Sequence, residues 1–292
     1  LRSARIAAVV LLGVAILAVF GKALAPQDPL HQDVANLLQG PSSRHLLGTD
    51  YLGRDVLSRL MTGTRDSVVS ALEAVALGLS LGTLPGIAAV FFGRRFDYLS
   101  NRVSDALMTL PPIVFAIAVS AVLGNGLFPA MAAIGVLISP FFFRVTRAAA
   151  LEYAAAQYVE AAQLQGASKF RVMRVHVLPK VLPTIAVTAA AAAASAVLTV
   201  SSLTFLGLGV QPPKPTWGGV MSSDLNYLSQ APWAPLAPAL LIVVTVAALN
   251  ALADAVRDTT GASSLVVDDL LLDTDDADSE SEVRRDDQHA AA

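Results

Sequence analysis

The sequence predicts an all-α membrane protein of six transmembrane helices, and three observations predict it. Of the 292 residues 54% are hydrophobic, and the mean hydropathy is +0.60, too apolar for one water-soluble core and too long for a simple anchor. Six stretches approach or exceed the about 20 apolar residues that a bilayer-crossing helix needs, roughly 6–25, 67–92, 103–123, 129–149, 181–203 and 236–256. Cysteine is absent, which excludes disulfides, thiolate metal sites and cysteine nucleophiles.

The first stretch follows Arg2 and Arg5 and reads as a span. Its end, Ala23-Leu24-Ala25-Pro26, also fits a cleaved signal peptide, which would leave five spans; the anchor reading is preferred here. The chain begins with Leu rather than Met, implying residues ahead of Leu1. Segment 26–66 mixes Asp and Arg with Val56, Leu57 and Leu60, as an amphipathic helix on the outer surface would. It serves either as a collar for an external partner or as a cap that seals the bundle. In the second span Gly78, Gly82 and Gly86 recur every fourth residue, giving one face on which another backbone can approach.

Pro111 and Pro112 fall inside the third span and are expected to kink it. The fifth carries the run Ala189–Ala194, then hydroxyls at Ser195, Thr199, Ser201, Ser202 and Thr204. Small residues favour tight helix contact, and Ser195, Thr199 and Ser202 are candidates for lining a polar path. Both tryptophans, Trp217 and Trp233, lie in the last outside loop, where interfacial rings belong. Beyond residue 260 the chain turns acidic: ten of its 23 Asp and Glu fall between Asp268 and Asp287. That tail, 261–292, lacks apolar periodicity and reads as disordered; the membrane domain is 1–260.

With both termini inside, the cytoplasmic segments hold fourteen of the 20 Lys and Arg, against six outside. The positive-inside rule supports that orientation. The segment between spans four and five, about 150–180, then faces the cytoplasm. Glu152 to Gln165 is rich in strong helix formers and predicts a helix of about 20 Å. Gly166 suits the left-handed conformation that stops it. A second helix starts near Ser168, with Phe170, Met173 and Val177 on one face, and Pro179 is expected to end it.

Glu160-Ala161-Ala162, then Gly166, then Leu178-Pro179 at the matching distance resembles the EAA loop of ABC importer permeases. The generic pattern has an aliphatic residue where His176 stands, but the peptide and nickel branch commonly carries His-Val-Leu-Pro there. Two further segments resemble the C-type permease of that dipeptide, oligopeptide and nickel branch: His45–Leu60, and Phe205-Leu206-Gly207-Leu208-Gly209-Val210-Gln211-Pro212-Pro213 running on to Trp217-Gly218. With Asn250, Asp254 and Arg257-Asp258, the likeness covers about residues 1–260; the acidic tail has no counterpart.

The resemblance implies a type I ABC importer permease fold in which the loop is a coupling helix docking into a cleft on the ATPase. Tyr158, Val159, Glu160, Ala161, Ala162, Leu164, Gly166, Ala167, Ser168, Leu178 and Pro179 would form that joint. It further implies a second homologous permease, two ATP-binding subunits or one fused dimer, an extracytoplasmic solute-binding protein and a bacterial inner-membrane location. Peptides, a haem or a nickel chelate are the solutes it suggests. The chain has no Gly-x-x-x-x-Gly-Lys-Ser/Thr, so ATP and Mg are expected on the partner subunits and no cofactor on this one.

Weaker signals favour bland readings. Gly78-Leu79-Ser80-Leu81-Gly82 matches a nucleophile elbow in pattern, yet it lies in a long apolar span without that motif's context. His31, His45, His176 and His289 show no metal-ligand spacing. Glu73, two turns from Asp66, is read as reaching the outer interface, and Asp105 as sitting at the inner one beside Arg102; both are taken as structural. No catalysis and no nucleic-acid partner are expected. The competing readings are an ion-gradient-driven transporter or channel and a non-transporting membrane scaffold.

Overall fold

A computed structural model describes residues 2–124, 126–210 and 212–260. The acidic tail, and Gln211 of the Phe205–Trp217 segment, lie outside the described residues. The long helices are α1 (Arg2–Leu24), α2 (Val56–Phe91), α5 (Leu127–Ala154), α8 (Leu178–Phe205) and α10 (Trp233–Thr260). Between them come α3 (Arg94–Met108), α4 (Pro112–Leu123), α6 (Gln157–Leu164), α7 (Lys169–Val172) and α9 (Trp217–Asp224). Five helices are long and apolar enough to cross a membrane, and α3 with α4 makes a sixth candidate if the pair is one span.

The spine is the pair α2 and α5, which run parallel. A Cβ on Gly78 would stand 2.5 Å from Ile138, one on Gly86 2.9 Å from the Phe143 carbonyl, and one on Gly82 inside contact distance of the Ser139 carbonyl. The every-fourth-residue glycines therefore face α5 and let the two backbones meet. The core around this seam includes Ala74, Met131, Ile134, Phe142, Val197, Val200 and Leu203.

The third span departs from expectation. It is two helices meeting at 91° rather than one kinked rod. Pro111 and Pro112 remove two successive amide donors, and Pro111 takes an extended conformation (ψ 120°) that a helix cannot continue through. The twelve residues of α4 give about 18 Å, short of the about 30 Å hydrocarbon layer. α3 carries Arg94, Arg95, Asp97, Asn101 and Arg102, which would be costly inside lipid. It is fastened to α5 by ion pairs instead: Arg147 grips both Asp97 oxygens (Nη2–Oδ2 2.7 Å), and Arg144 reaches Asp105 at 2.7 Å. Asp105 thus pairs with Arg144 and not with Arg102, whose guanidinium lies over Tyr98.

The outer segment is also different. Val56, Leu57 and Leu60 begin α2 itself, with Val56 and Leu60 buried, so there is no separate surface helix there. Residues 26–55 fold over that end as turns, with a 3-10 turn Val34–Asn36 and a bridge from Thr49 to Asp55. Three of their charged groups, Asp50, Arg54 and Asp55, are buried. Fully buried Asp50 accepts from Arg54 Nε at 2.7 Å and Arg59 Nη1 at 2.9 Å, and its other oxygen takes the Leu52 and Arg54 amides. Asp55 caps α2 by accepting from the Ser58 amide at 2.8 Å, and it meets His45 Nδ1 at 3.0 Å. Trp217 Nε1 donates to Thr64, and its amide to Ser67, tying α9 to α2. Tyr51 stacks on Tyr227 at 5.5 Å and donates its amide to Asp224. Among the described residues Arg59 Nε alone of this set is buried without a partner.

Gly82→Leu is expected to drive α2 from α5 and lower the thermal midpoint of the detergent-purified protein by 10 °C or more, since overpacking costs about 1–3 kcal/mol even where a core can yield. Gly13→Leu, whose Cβ meets open space, is the control and should leave it unchanged.

Asp224, in the outer connection and outside the spans, supplies a pH test. Burial and then the nearby Asp50 charge push its carboxyl from 3.8 up to about 6 against the Tyr51 amide that favours the anion. The fold holds the protonated form better, so the stability it contributes is present below the unfolded value and is lost as pH climbs through about 6. Asp224→Asn keeps an acceptor for the Tyr51 amide. Its thermal midpoint should match the wild type near pH 4 and exceed it by a few degrees at pH 7.5; a constant difference across that range contradicts the assignment.

Candidate functional site

α5 runs on to Ala154, past the predicted end of its span, so Glu152 belongs to that helix. The chain breaks at Ala155 and Ala156, with Ala156 extended (ψ 143°), and α6 starts at Gln157 rather than at Glu152. One side chain seats this short helix. Val159 is 1% exposed and packs with Ala149, Ala150, Val172, Val177, Val181 and Ile185, and the Val90 and Phe91 end of α2 joins their rim.

A glycine turn closes α6. Gly166 has φ +87° and donates to the Gln163 carbonyl at 2.9 Å, while Ala167 donates to the Ala162 carbonyl at 3.0 Å. These two bonds satisfy carbonyls that a helix end leaves open, and the left-handed residue between them is one that L side chains adopt only with strain. Ser168 then caps the next helix, its Oγ accepting from the Arg171 amide. Ala162, Gly166, Ala167 and Ser168 thus form one rigid corner.

Pro179 does not end the second helix. A π-turn over Met173–Val177 leads straight into α8, and the Leu178 amide donates five residues back, to Met173. Pro179 sits in the first turn of α8, where its missing N–H costs little. The helical path runs from Lys169 to Phe205.

The structure places Tyr158 to Ser168 of the loop residues named from the sequence on α6 and this corner, and Leu178 and Pro179 beyond the π-turn at the start of α8. Glu160, Ala161 and Leu164 are exposed, Leu164 at 83%. Phe170 beside them is 66% exposed, and Tyr158 and Val175 are exposed too. Glu160, in the first turn of α6, makes no side-chain bond among the described residues and is stabilised there by the helix dipole. The result is a helix anchored by a single valine that presents a carboxylate and exposed apolar side chains. Phe170, expected on one face with Met173 and Val177, is instead exposed while Val177 is buried, and sequence reasoning missed the contact of the Tyr158 and His176 rings at 6.2 Å, which gives the histidine a packing role.

The remaining candidates lie elsewhere. Ser195, Thr199 and Ser202 share a face of α8 turned away from the core, each hydroxyl bonded back to the carbonyl four residues earlier. Glu73 lies midway along α2, with Oε1 buried and unpartnered. No cluster of His, Asp and Glu suited to a metal occurs among the described residues. Val159→Asp is expected to unseat α6 while sparing the bundle. Amide exchange over 157–172 should rise at least tenfold with α2 and α5 unchanged; an unaltered loop means that Val159 is not its anchor.

The chain is similar to known proteins. The profile of the family described as binding-protein-dependent transport system inner membrane component matches residues 56–260. The di/tripeptide transport system permease protein DppC of Pseudomonas aeruginosa is 40% identical over 247 residues, 82% of each chain. The glutathione transport system permease protein GsiD of Pectobacterium atrosepticum is 36% identical over 85% of this chain and 83% of its own. An inward-facing structure of the MetNI methionine ABC transporter superposes with a TM-score of 0.57 at 19% identity, covering 70% of this chain and 96% of that one. The last likeness is one of fold.

Proposed function

This chain belongs to the binding-protein-dependent transport system inner membrane component family, and from that premise we propose that it forms half of a translocation path for short peptides and is driven through the corner of α6. As a permease subunit of an ABC importer it works in the inner membrane with an ATPase and a solute-binding protein that are separate chains. The finer reading adds a second, homologous permease, two ATP-binding subunits that bind ATP and Mg, and cytoplasmic termini. The excess of basic residues at the α6 end supports that orientation. Relatives named for di- and tripeptides support the solute.

The carrying observation is that α6, fixed at its base by Val159, exposes Tyr158, Glu160 and Leu164, with Phe170 of α7 exposed as well. A short helix offering apolar side chains and a carboxylate fits a cleft with apolar walls and a basic group, and a charge-assisted bond there contributes about 1.5–3 kcal/mol. Nucleotide-dependent closure of the ATPases would then displace α6 as a unit, because the Gly166 corner and the Ser168 cap leave it no slack. The permease supplies two helix packings of similar stability, and the nucleotide state biases them. Ser195, Thr199 and Ser202 are the proposed wall of the path, and Gly78, Gly82 and Gly86 the seam behind it.

The test is uptake by the complex reconstituted with its ATPases and binding protein. Gly166→Pro, which cannot adopt φ +87°, and Glu160→Lys should lower ATP-driven dipeptide uptake at least tenfold while ATP hydrolysis persists and the protein stays in the membrane. Leu164→Ser with Phe170→Ser should weaken co-purification of the ATPase about tenfold. Undiminished uptake in all these variants would leave the ion-driven or scaffold readings standing.

A further inference from the structure

At the outer end the last turn of α1 lies against the first turns of α2. The Gly21 backbone touches that of Met61, with no room for a side chain. Two residues further along α2, the loop at Pro215 and Thr216 packs on Gly63, where an added Cβ would stand 3.1 Å from the Pro215 carbonyl. These two contacts hold the walls of a cleft of about 860 Å³ roofed by residues 25–30. Lys22, Arg65 and Lys214 line it, with Asp28 and Asp66. Among the described residues none of the three cations forms an ion pair, whereas the arginines of the neighbouring cap do. The cleft therefore carries one net positive charge, and its cations keep their donors free.

We propose that this cleft binds the phosphodiester headgroup of an outer-leaflet phospholipid. The apolar wall decides the occupant. It is Leu17 and the residues after it, one turn below Lys22, on a helix whose Ile16, Val19 and Phe20 face outward from the bundle. The cleft thus straddles the height at which α1 leaves the hydrocarbon. A water-soluble partner cannot follow that wall into the bilayer, but a lipid's glycerol and first methylenes can. The volume suits a ligand of that size and exceeds what a lone inorganic anion fills. A monoanionic phosphodiester neutralises the net charge, and Arg65 offers the planar fork that matches two phosphate oxygens. Basic pockets between membrane helices recognise headgroups in this way. The bound lipid would join α1 to α2 and to the Pro215 loop, three elements that meet here only at small backbone contacts.

The experiment is native mass spectrometry of the assembled transporter, delipidated in mild detergent and given phosphatidylglycerol. Wild type should retain a lipid adduct that drops at least fivefold in Lys22→Gln/Arg65→Gln/Lys214→Gln and is unchanged in Arg95→Gln, an exposed cation at the opposite end. If the triple variant assembles poorly, the single changes give the same reading: Arg65→Lys should retain more lipid than Arg65→Gln. Equal retention in all variants overturns the proposal. So does displacement of the lipid by millimolar inorganic phosphate, which would identify the ligand as free phosphate. Loss of binding-protein affinity in the triple variant with lipid retention intact overturns it too, making the cleft a protein contact. None of these outcomes depends on which solute is carried.

Discussion

The seam between α2 and α5 is the constraint from which the other features take their positions. Without Cβ atoms at Gly78, Gly82 and Gly86 the two backbones meet over three turns, which in a bilayer is how helices gain attraction that apolar burial cannot supply. α2 is 36 residues long, about 54 Å, and extends beyond the hydrocarbon. One end is capped by Asp55 inside the outer network; the other brings Val90 and Phe91 to the cluster that seats Val159. The seam thus links the sealed outer end to the exposed corner through one stiff element.

The two ends are built from different physics. At the Asp55 end of α2, Asp50, Arg54 and Arg59 form a buried, hydrogen-bonded charge set in which removing one member would strand the others, and such a set resists small rearrangements. At the other end α6 is held by one valine and a glycine corner. Apolar contacts of this kind are non-directional and permit a short helix to shift without leaving a polar group unpaired. A bundle so constructed yields first at its α6 end, which suits a permease whose drive comes from a separate motor.

Much of this was legible in the sequence because the signals are local. Apolar length found the spans, four-residue spacing found the glycine face, and Glu160 to Pro179 found the corner. What escaped depends on contacts far apart in the chain or on cooperation between neighbours. The 91° break at Pro111 and Pro112 needed Asp97 and Arg147, fifty residues apart, to hold α3 in its place. Val56 and Leu60 looked amphipathic because the cap that buries them, residues 26–55, has no periodicity of its own. Pro179 reads as a breaker, yet the helical path runs through it, with a π-turn over Met173–Val177 just before it.

The π-turn also bears on how a displacement of α6 could be felt at a distance. From Lys169 to Phe205 the backbone is helical without interruption, so the corner and the hydroxyl face of α8 belong to one rod. Ser195, Thr199 and Ser202 return their hydrogen bonds to that same rod, so they move with it and lose no partner on the way. At its outer end the rod meets α9, where the Gly218 backbone lies against the Ser201 carbonyl with no room between them. A tilt begun at Ser168 must therefore slide or unlock that contact, and α9 is tied through Trp217 to Thr64 and Ser67 of α2. The proposed stroke has a lever in α8 and a stop in α9, and the strength of that stop limits how far the outer side can open.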